Sequence, residues 1–170
     1  MIESSFLPPD VSGLIAALAI GLLIGLERGW NDRELPEGSR VAGLRTFTLT
    51  GLLGGVLGHL QPNFGAWPLV AAVLGLSLLL TVSYARTAKI SGNLSATTTI
   101  AMLLTLVLGA YASHGNVTLA LTAAVIVAVF LDLKPTLHGW LRLIEHRELT
   151  ASLQLLVLSV VILPYLPNTG

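Results

Sequence analysis

Long apolar stretches dominate the chain and recur at short intervals. They cover residues 11–26, 44–60, 67–84, 96–111, 117–133 and 149–163. Membrane strands alternate apolar and polar positions with a period of two, whereas these stretches are apolar throughout and therefore predict helices. A helix of about 20 apolar residues crosses the hydrocarbon core of a bilayer. We therefore expect an all-α polytopic bundle of about six transmembrane helices, forming one domain over residues 1–170 with no soluble domain.

The composition supports a membrane environment. Hydrophobic residues make up 54% of the chain and charged residues 11%, with a mean hydropathy of +0.81. A soluble domain carries about a quarter charged residues. The formal net charge is zero, so no nucleic-acid partner is expected. The chain has no cysteine, which excludes disulfides, thiolate metal sites and cysteine nucleophiles.

The basic residues predict an orientation. All nine lie in or beside the first, third and fifth connections between the apolar stretches, and cytoplasmic loops collect such residues. We therefore expect these connections in the cytoplasm and both termini outside. Residues 1–10 carry Glu3 and Asp10 but no basic residue, which is atypical of a signal peptide, so the first stretch is expected to be retained. The basic residues are Arg28, Arg33, Arg40, Arg45, Arg86, Lys89, Lys134, Arg142 and Arg147.

Small residues form stripes on the first two predicted helices. Gly21 and Gly25 are four residues apart on the first helix, as are Gly51 and Gly55 on the second. Such spacing lets helix backbones approach closely, which supplies van der Waals contact where lipid provides no hydrophobic drive. The stripes predict packing inside the protomer or the seam of a homodimer, and the spacing alone does not distinguish the two.

Charged residues at the helix ends are the candidate site. Glu27 and Arg28 end the first helix, Arg45 and Thr46 begin the second, and Asp132 ends the fifth. Glu27 and Arg45 lie on the same predicted side, across a connection that brings them together, and arginine binds a carboxylate bidentately. Three interpretations stay open at this point: a structural Glu27–Arg45 ion pair, a functional polar site, or side chains that only reach the headgroups.

Further polar residues cluster at the predicted cytoplasmic helix ends. Together with Glu27 and Arg45 they predict a polar vestibule that opens inward beneath an apolar outer layer, with Asp132 as a secondary contact. The alternative is ordinary polarity at helix ends. Threonine hydroxyls bond their own helix backbone at little cost. These residues are Thr81, Ser83, Tyr84, Asn93, Ser95, Thr97, Thr98, Thr99, Thr150, Ser152 and Gln154.

The sequence contains no pattern of a catalytic or metal centre. His59, His114, His138 and His146 have no metal-ligand spacing, and no phosphate-binding loop, nucleophile elbow or HExxH motif is present. We therefore expect neither an enzyme nor a cofactor. Between the last two stretches, Trp140 lies among leucine and charged residues, which predicts a short interfacial helix.

Two segments resemble a known family. The stretches GLLIGLERGW and AGLRTFTLTGLLGG resemble the amino-terminal signature of the MgtC/SapB family of bacterial inner-membrane proteins. The resemblance lies within residues 13–58, and the segment from residue 132 to residue 167 is similar to a related, uncharacterised and longer membrane-protein family. The matching positions are Gly25, Leu26, Glu27, Arg28, Ala42, Gly43, Arg45 and Thr46.

The resemblance implies a multi-pass protein of the bacterial cytoplasmic membrane that is linked to growth in low magnesium and to survival inside hosts. It also makes a divalent cation such as Mg²⁺ a candidate ligand. Two functions follow as hypotheses. In the first, a homodimer moves or binds a small ion or solute, with Glu27 as acidic ligand or proton carrier and Arg28 and Arg45 as its counter-charges. In the second, the chain is regulatory or scaffolding, associates with other membrane proteins through its helices, and has no permeation path.

Overall fold

The computed structural model describes residues 8–31, 33, 42–91, 97–143 and 145–163, and the described part is all-α, as predicted. It divides into two compact units, Met1–Asp132 and Leu133–Gly170. In the first unit the helices are α1 (Pro9–Asn31), α2 (Leu44–Phe64), α3 (Trp67–Ser91), α4 (Thr97–His114) and α5 (Val117–Asp132). Each of the first five apolar stretches therefore corresponds to one helix.

Helices α1, α2 and α4 form the centre of the first unit. α2 packs most extensively against α4 and α1, α5 packs against α1 and α4, and α3 makes only a small contact with α2 and α4. Ile20 and Ile24 of α1, Phe47 of α2, and Met102 and Leu106 of α4 are fully or almost fully buried. The largest buried side chains thus come from these three helices, α5 adds small buried residues to the same core, and α3 lies at its edge with one buried leucine.

Two short turns set the direction of neighbouring helices. Gly65, between α2 and α3, has a positive φ of 67° that favours glycine, and its N–H donates to the carbonyl of Gln61 at 2.8 Å. Between α4 and α5, the side-chain oxygen of Asn116 accepts a hydrogen bond from the N–H of Leu119 at 3.0 Å, which caps α5. Because both turns are short, each pair of helices runs antiparallel.

Large apolar side chains cover the outer surface of this unit. Leu26, Leu49, Leu74 and Phe130 are each more than 60% exposed. Monomeric soluble proteins rarely expose contiguous apolar surface on this scale. A surface of this kind is suited to lipid or to another apolar partner.

Among the described residues, two helical segments are long and apolar enough to cross a bilayer, Val11–Asn31 and Thr97–His114. Trp67–Ser83 and Val117–Asp132 are apolar but shorter. Glycine and threonine lower the hydropathy of α2, and α5 has only 16 residues. The helices coincide with the predicted stretches, whereas six spans and the positions of the termini stay predictions.

The second unit contains α6 (Lys134–Leu143) and α7 (His146–Leu156), and α7 continues as a π-helical segment, Val157–Ile162. The short helix predicted around Trp140 is α6, and its place at a membrane interface stays a prediction. α7 begins with a reciprocal cap, in which Glu145 and Glu148 each accept a hydrogen bond from the other's backbone N–H. No residue of α7 or of the π-helical segment is buried.

Candidate functional site

A buried arginine connects the end of α1 to the end of α5. The Arg28 side chain is 3% exposed and donates from Nε and Nη2 to the two carboxylate oxygens of Glu27. Its Nη2 also donates to the carbonyl of Leu131 in the last turn of α5, at 3.3 Å. The last carbonyls of a helix lack intrahelical partners and carry partial negative charge. Arg28 therefore neutralises the Glu27 carboxylate and bonds the carboxyl end of α5.

This arrangement corrects the predicted Glu27–Arg45 pair. Within the described residues no ion pair or hydrogen bond joins Glu27 to Arg45, and the partner of Glu27 is its own neighbour Arg28. Adjacent residues on a helix point about 100° apart, so sequence spacing argues against such a pair. The side chains of Glu27 and Arg28 are nevertheless long enough to reach each other. The guanidinium of Arg28 also donates to the carbonyl of Leu131 at this position.

Asp132 is next to this junction in sequence but takes no part in it. Its side chain is exposed, and the contact that α5 makes with Arg28 comes from the backbone of Leu131. The sequence predicts the Asp132 carboxylate as the secondary polar contact, but the main-chain oxygen of Leu131 makes this contact instead.

Arg45 and Thr46 lie at a second place, in an open groove between α2, α3 and α4. The groove has a volume of about 600 Å³. Its polar lining residues are Arg45, Thr46, Thr50 and Ser83, and its apolar lining residues are Leu49, Leu53, Leu76, Leu79, Leu80 and Met102. Glu27 is not among the lining residues, so the structure separates Glu27 and Arg28 from Arg45 and Thr46.

The polar residues of the groove gather at one end. Arg45, Thr46 and Thr50 belong to the first two turns of α2, and Ser83 belongs to the later part of the antiparallel α3. Arg45 is exposed and, in the part of the chain that the structure describes, forms no ion pair. The groove therefore has a cationic, hydroxyl-bearing mouth that continues into an apolar interior.

Among the described lining residues of the groove, Arg45 and Ser83 belong to the predicted vestibule of polar side chains, and the side chain of Tyr84 is not described. Asn93 and Ser95 lie outside the described residues. Several threonine hydroxyls donate within their own helices, as Thr105 does to the carbonyl of Ala101 at 2.7 Å and Thr50 to that of Thr46 at 2.8 Å. A hydroxyl satisfied in this way needs no water, so threonines in these helices do not by themselves indicate a wet cavity.

The glycines of the two stripes pack against other helices of the same chain. A Cβ added to Gly21 would lie 2.5 Å from the carbonyl oxygen of Phe47, and one added to Gly51 would lie 2.5 Å from that of Ala17. Gly25 faces Phe47 and Leu44, and Gly55 faces Ala17. These four glycines thus let α1 and α2 of one protomer approach closely.

Sequence reasoning missed the partners of the second glycine face of α2. A Cβ on Gly54 would lie 2.1 Å from the carbonyl oxygen of Leu106, and one on Gly58 would lie 2.2 Å from that of Ala110. The spacing of Gly54 and Gly58 signals a close contact, but only the fold shows that the contact is with α4.

No group of three or more histidine, cysteine, aspartate or glutamate side chains within the described residues could hold a metal ion. His59 and His114 are exposed and belong to the carboxyl-terminal parts of α2 and α4. Among the residues that the structure describes, neither the Arg28 junction nor the groove lining brings together several carboxylates, the ligands that bind divalent cations such as Mg²⁺.

Comparison with known families matches residues 14–140 to the MgtC family, about three quarters of the chain. The match extends far beyond the 13–58 segment that carries the resemblance in the sequence, and it includes both the Arg28 junction and the groove. No curated protein and no solved structure matches the chain. Because the family match covers well over half of the sequence, the chain belongs to the MgtC family.

Proposed function

We propose that this chain is a multi-pass protein of the bacterial cytoplasmic membrane that supports magnesium homeostasis by a regulatory role, without a catalytic step and without carrying the ion itself. Membership of the MgtC family supports the membrane setting and the link to magnesium. The apolar outer surface, with Leu49 and Phe130 each 64% exposed, supports embedding in lipid.

The observation that carries the regulatory role is the bonding of Glu27. A carboxylate that binds a cation in a membrane does so through its negative charge, but the charge of Glu27 is compensated by Arg28, which donates to both of its oxygens. The same guanidinium also holds the end of α5 through Leu131. The pair therefore connects two helices and compensates its own charge, which favours a structural role.

Transport remains the second candidate, and the groove is the observation that favours it. Arg45, Thr46, Thr50 and Ser83 form a polar mouth that a small solute or ion could enter. In that case Arg45 would be the charged group at the entrance, and Glu27 would act only if its bond to Arg28 opened.

Reconstituted vesicles distinguish the two functions. We expect the full chain, in vesicles that contain a magnesium-sensitive dye, to give no more Mg²⁺ entry than protein-free vesicles. We also expect Glu27→Gln to keep the helical circular-dichroism signal, because a glutamine oxygen still accepts one hydrogen bond from Arg28, but to lower the stability of the protein, because the buried guanidinium loses its counter-charge. Mg²⁺ entry through the unchanged chain that is abolished by Glu27→Gln would instead establish transport.

We also propose that the protein forms a homodimer, and the glycine contacts limit where its interface can lie. The close contact between α1 and α2 of the same chain already uses the glycines of both stripes, Gly21, Gly25, Gly51 and Gly55. A seam through these glycines would require the two helices to separate. We therefore propose that a dimer, or a complex with another membrane protein, uses the exposed apolar surfaces instead.

A further inference from the structure

We propose that the groove between α2, α3 and α4 binds one anionic phospholipid, with its phosphate at Arg45 and one acyl chain along the apolar interior. The inference rests on embedding in the membrane, as proposed above, and it assigns the groove to a lipid instead of to the solute of the transport candidate. It concerns a bound lipid at one defined place, as distinct from the lipid that surrounds any membrane protein.

Charge is the first argument. Arg45 is an exposed guanidinium with no ion-pair partner in the described part of the chain, and the first turn of α2 contains no acidic residue. Arginine binds phosphate oxygens with two parallel hydrogen bonds, and Thr46 and Ser83 at the same mouth add hydroxyl groups. The mouth is therefore complementary to a phosphate group.

The shape of the groove is the second argument. Beyond the mouth the lining is leucine and methionine, which offers no partner to a polar solute but suits a hydrocarbon chain. Leu53 lies eight residues after Arg45 on α2, which is about 12 Å along a helix. One leaflet of the hydrocarbon core is about 15 Å deep, so the apolar part matches the depth that one acyl chain reaches.

Loose packing is the third argument. α3 makes few contacts with α2 and α4, in contrast to the close glycine-lined contacts among α1, α2 and α4. Leu49 and Leu79 are 64% and 62% exposed although they line the groove. An acyl chain between α2 and α3 would cover these leucines and fill the space that the chain's own side chains leave open.

The test is native mass spectrometry of the full chain purified in detergent, with phosphatidylglycerol and phosphatidylcholine of identical acyl chains as competing probes. We expect one phosphatidylglycerol to be retained in preference to phosphatidylcholine. Arg45→Gln should weaken its retention about fivefold, the effect of removing one basic side chain beside an anionic headgroup. Arg33→Gln is the matched control, because Arg33 is exposed but packs over the ring of Trp30, outside the groove lining. It should leave retention unchanged.

A second pair of variants tests the acyl position. Leu79→Trp fills the groove and should reduce retention of phosphatidylglycerol. Leu78→Trp, at a neighbouring residue of α3 that is 68% exposed and outside the groove lining, should not. If Arg45→Gln fails to fold, as judged by circular dichroism and gel filtration, this pair decides the question by itself.

Several results would overturn the inference. Equal retention of the two lipids would mean only general contact with apolar surface, and equal losses in Arg45→Gln and Arg33→Gln would mean only general attraction of positive charge. Displacement of the lipid by glycerol phosphate alone would assign the mouth to a free phosphate compound. By contrast, release of the chain from membranes without detergent would contradict the proposed function itself.

Discussion

At the scale of single residues, Arg28 is the most constrained charged group in the described part of the chain. It is buried, bonds both oxygens of Glu27 and reaches the carbonyl of Leu131 on another helix. Taking charges out of water is costly, and such a pair is tolerated only when its hydrogen bonds are satisfied. Arg45, by contrast, stays exposed at the mouth of the groove, although both arginines come from the same family signature.

We expect Arg28→Gln to destabilise the protein by about 3–5 kcal/mol, because it leaves the Glu27 carboxylate half-buried without its counter-charge. Denaturant titration in detergent, followed by circular dichroism, measures this change. Arg33→Gln, which loses exposed contacts that include the ring of Trp30 at 4.3 Å and its carbonyl, should cost about 1 kcal/mol. Similar losses for both variants would contradict a special role for Arg28.

At the scale of helices, the close approach of α2 to its neighbours depends on glycine. Gly51 contacts the backbone of α1, while Gly54 and Gly58 contact the backbone of α4. Without Cβ atoms in the way, the backbones come close enough to gain dispersion energy where lipid offers no hydrophobic drive. α3 lacks such contacts: its Gly75 has open space around the position of a Cβ.

Gly54→Ala is therefore expected to destabilise the protein by about 1–3 kcal/mol, the usual cost of overpacking, because the new methyl group meets the carbonyl oxygen of Leu106. Gly75→Ala is the matched control and should stabilise α3 by about 0.5–1 kcal/mol, since alanine favours the helix and meets nothing within 4 Å. Thermal melts in detergent compare the two. Equal effects would show that glycine matters here only through helix propensity.

At the scale of the whole molecule, the distribution of basic residues predicts which ends of the helices face the cytoplasm. Arg33 follows α1, whereas Asn63 is in the last turn of α2, and the two lie at opposite ends of these consecutive helices. If α1 and α2 both cross the bilayer, the two positions must face opposite sides.

The chain contains no cysteine, so single cysteines can be introduced without a background. We expect Asn63→Cys to react with a membrane-impermeant thiol reagent added to intact cells, and Arg33→Cys to react only after the membrane is opened. Because both residues are exposed, accessibility is set by the membrane alone. Labelling of both from the same side would contradict the six-span topology.

The amino-acid sequence by itself determined the helical class, the approximate bounds of the helices and the family. These properties depend on apolar runs, on turn residues such as Gly65 and Asn116, and on a local signature, all of which are encoded over short stretches of chain. The sequence also indicated that Gly51 and Gly55 lie in a close helix contact, since their four-residue spacing places them on one face.

Only the tertiary structure decided which groups meet. Glu27 bonds Arg28 instead of Arg45, and the same guanidinium donates to the carbonyl of Leu131, which is more than 100 residues away in sequence. The groove at Arg45 likewise exists because α3 packs loosely against α2 and α4. Such contacts depend on how helices that are distant in sequence are arranged and on how far long side chains reach. Neither property can be predicted from a local sequence pattern.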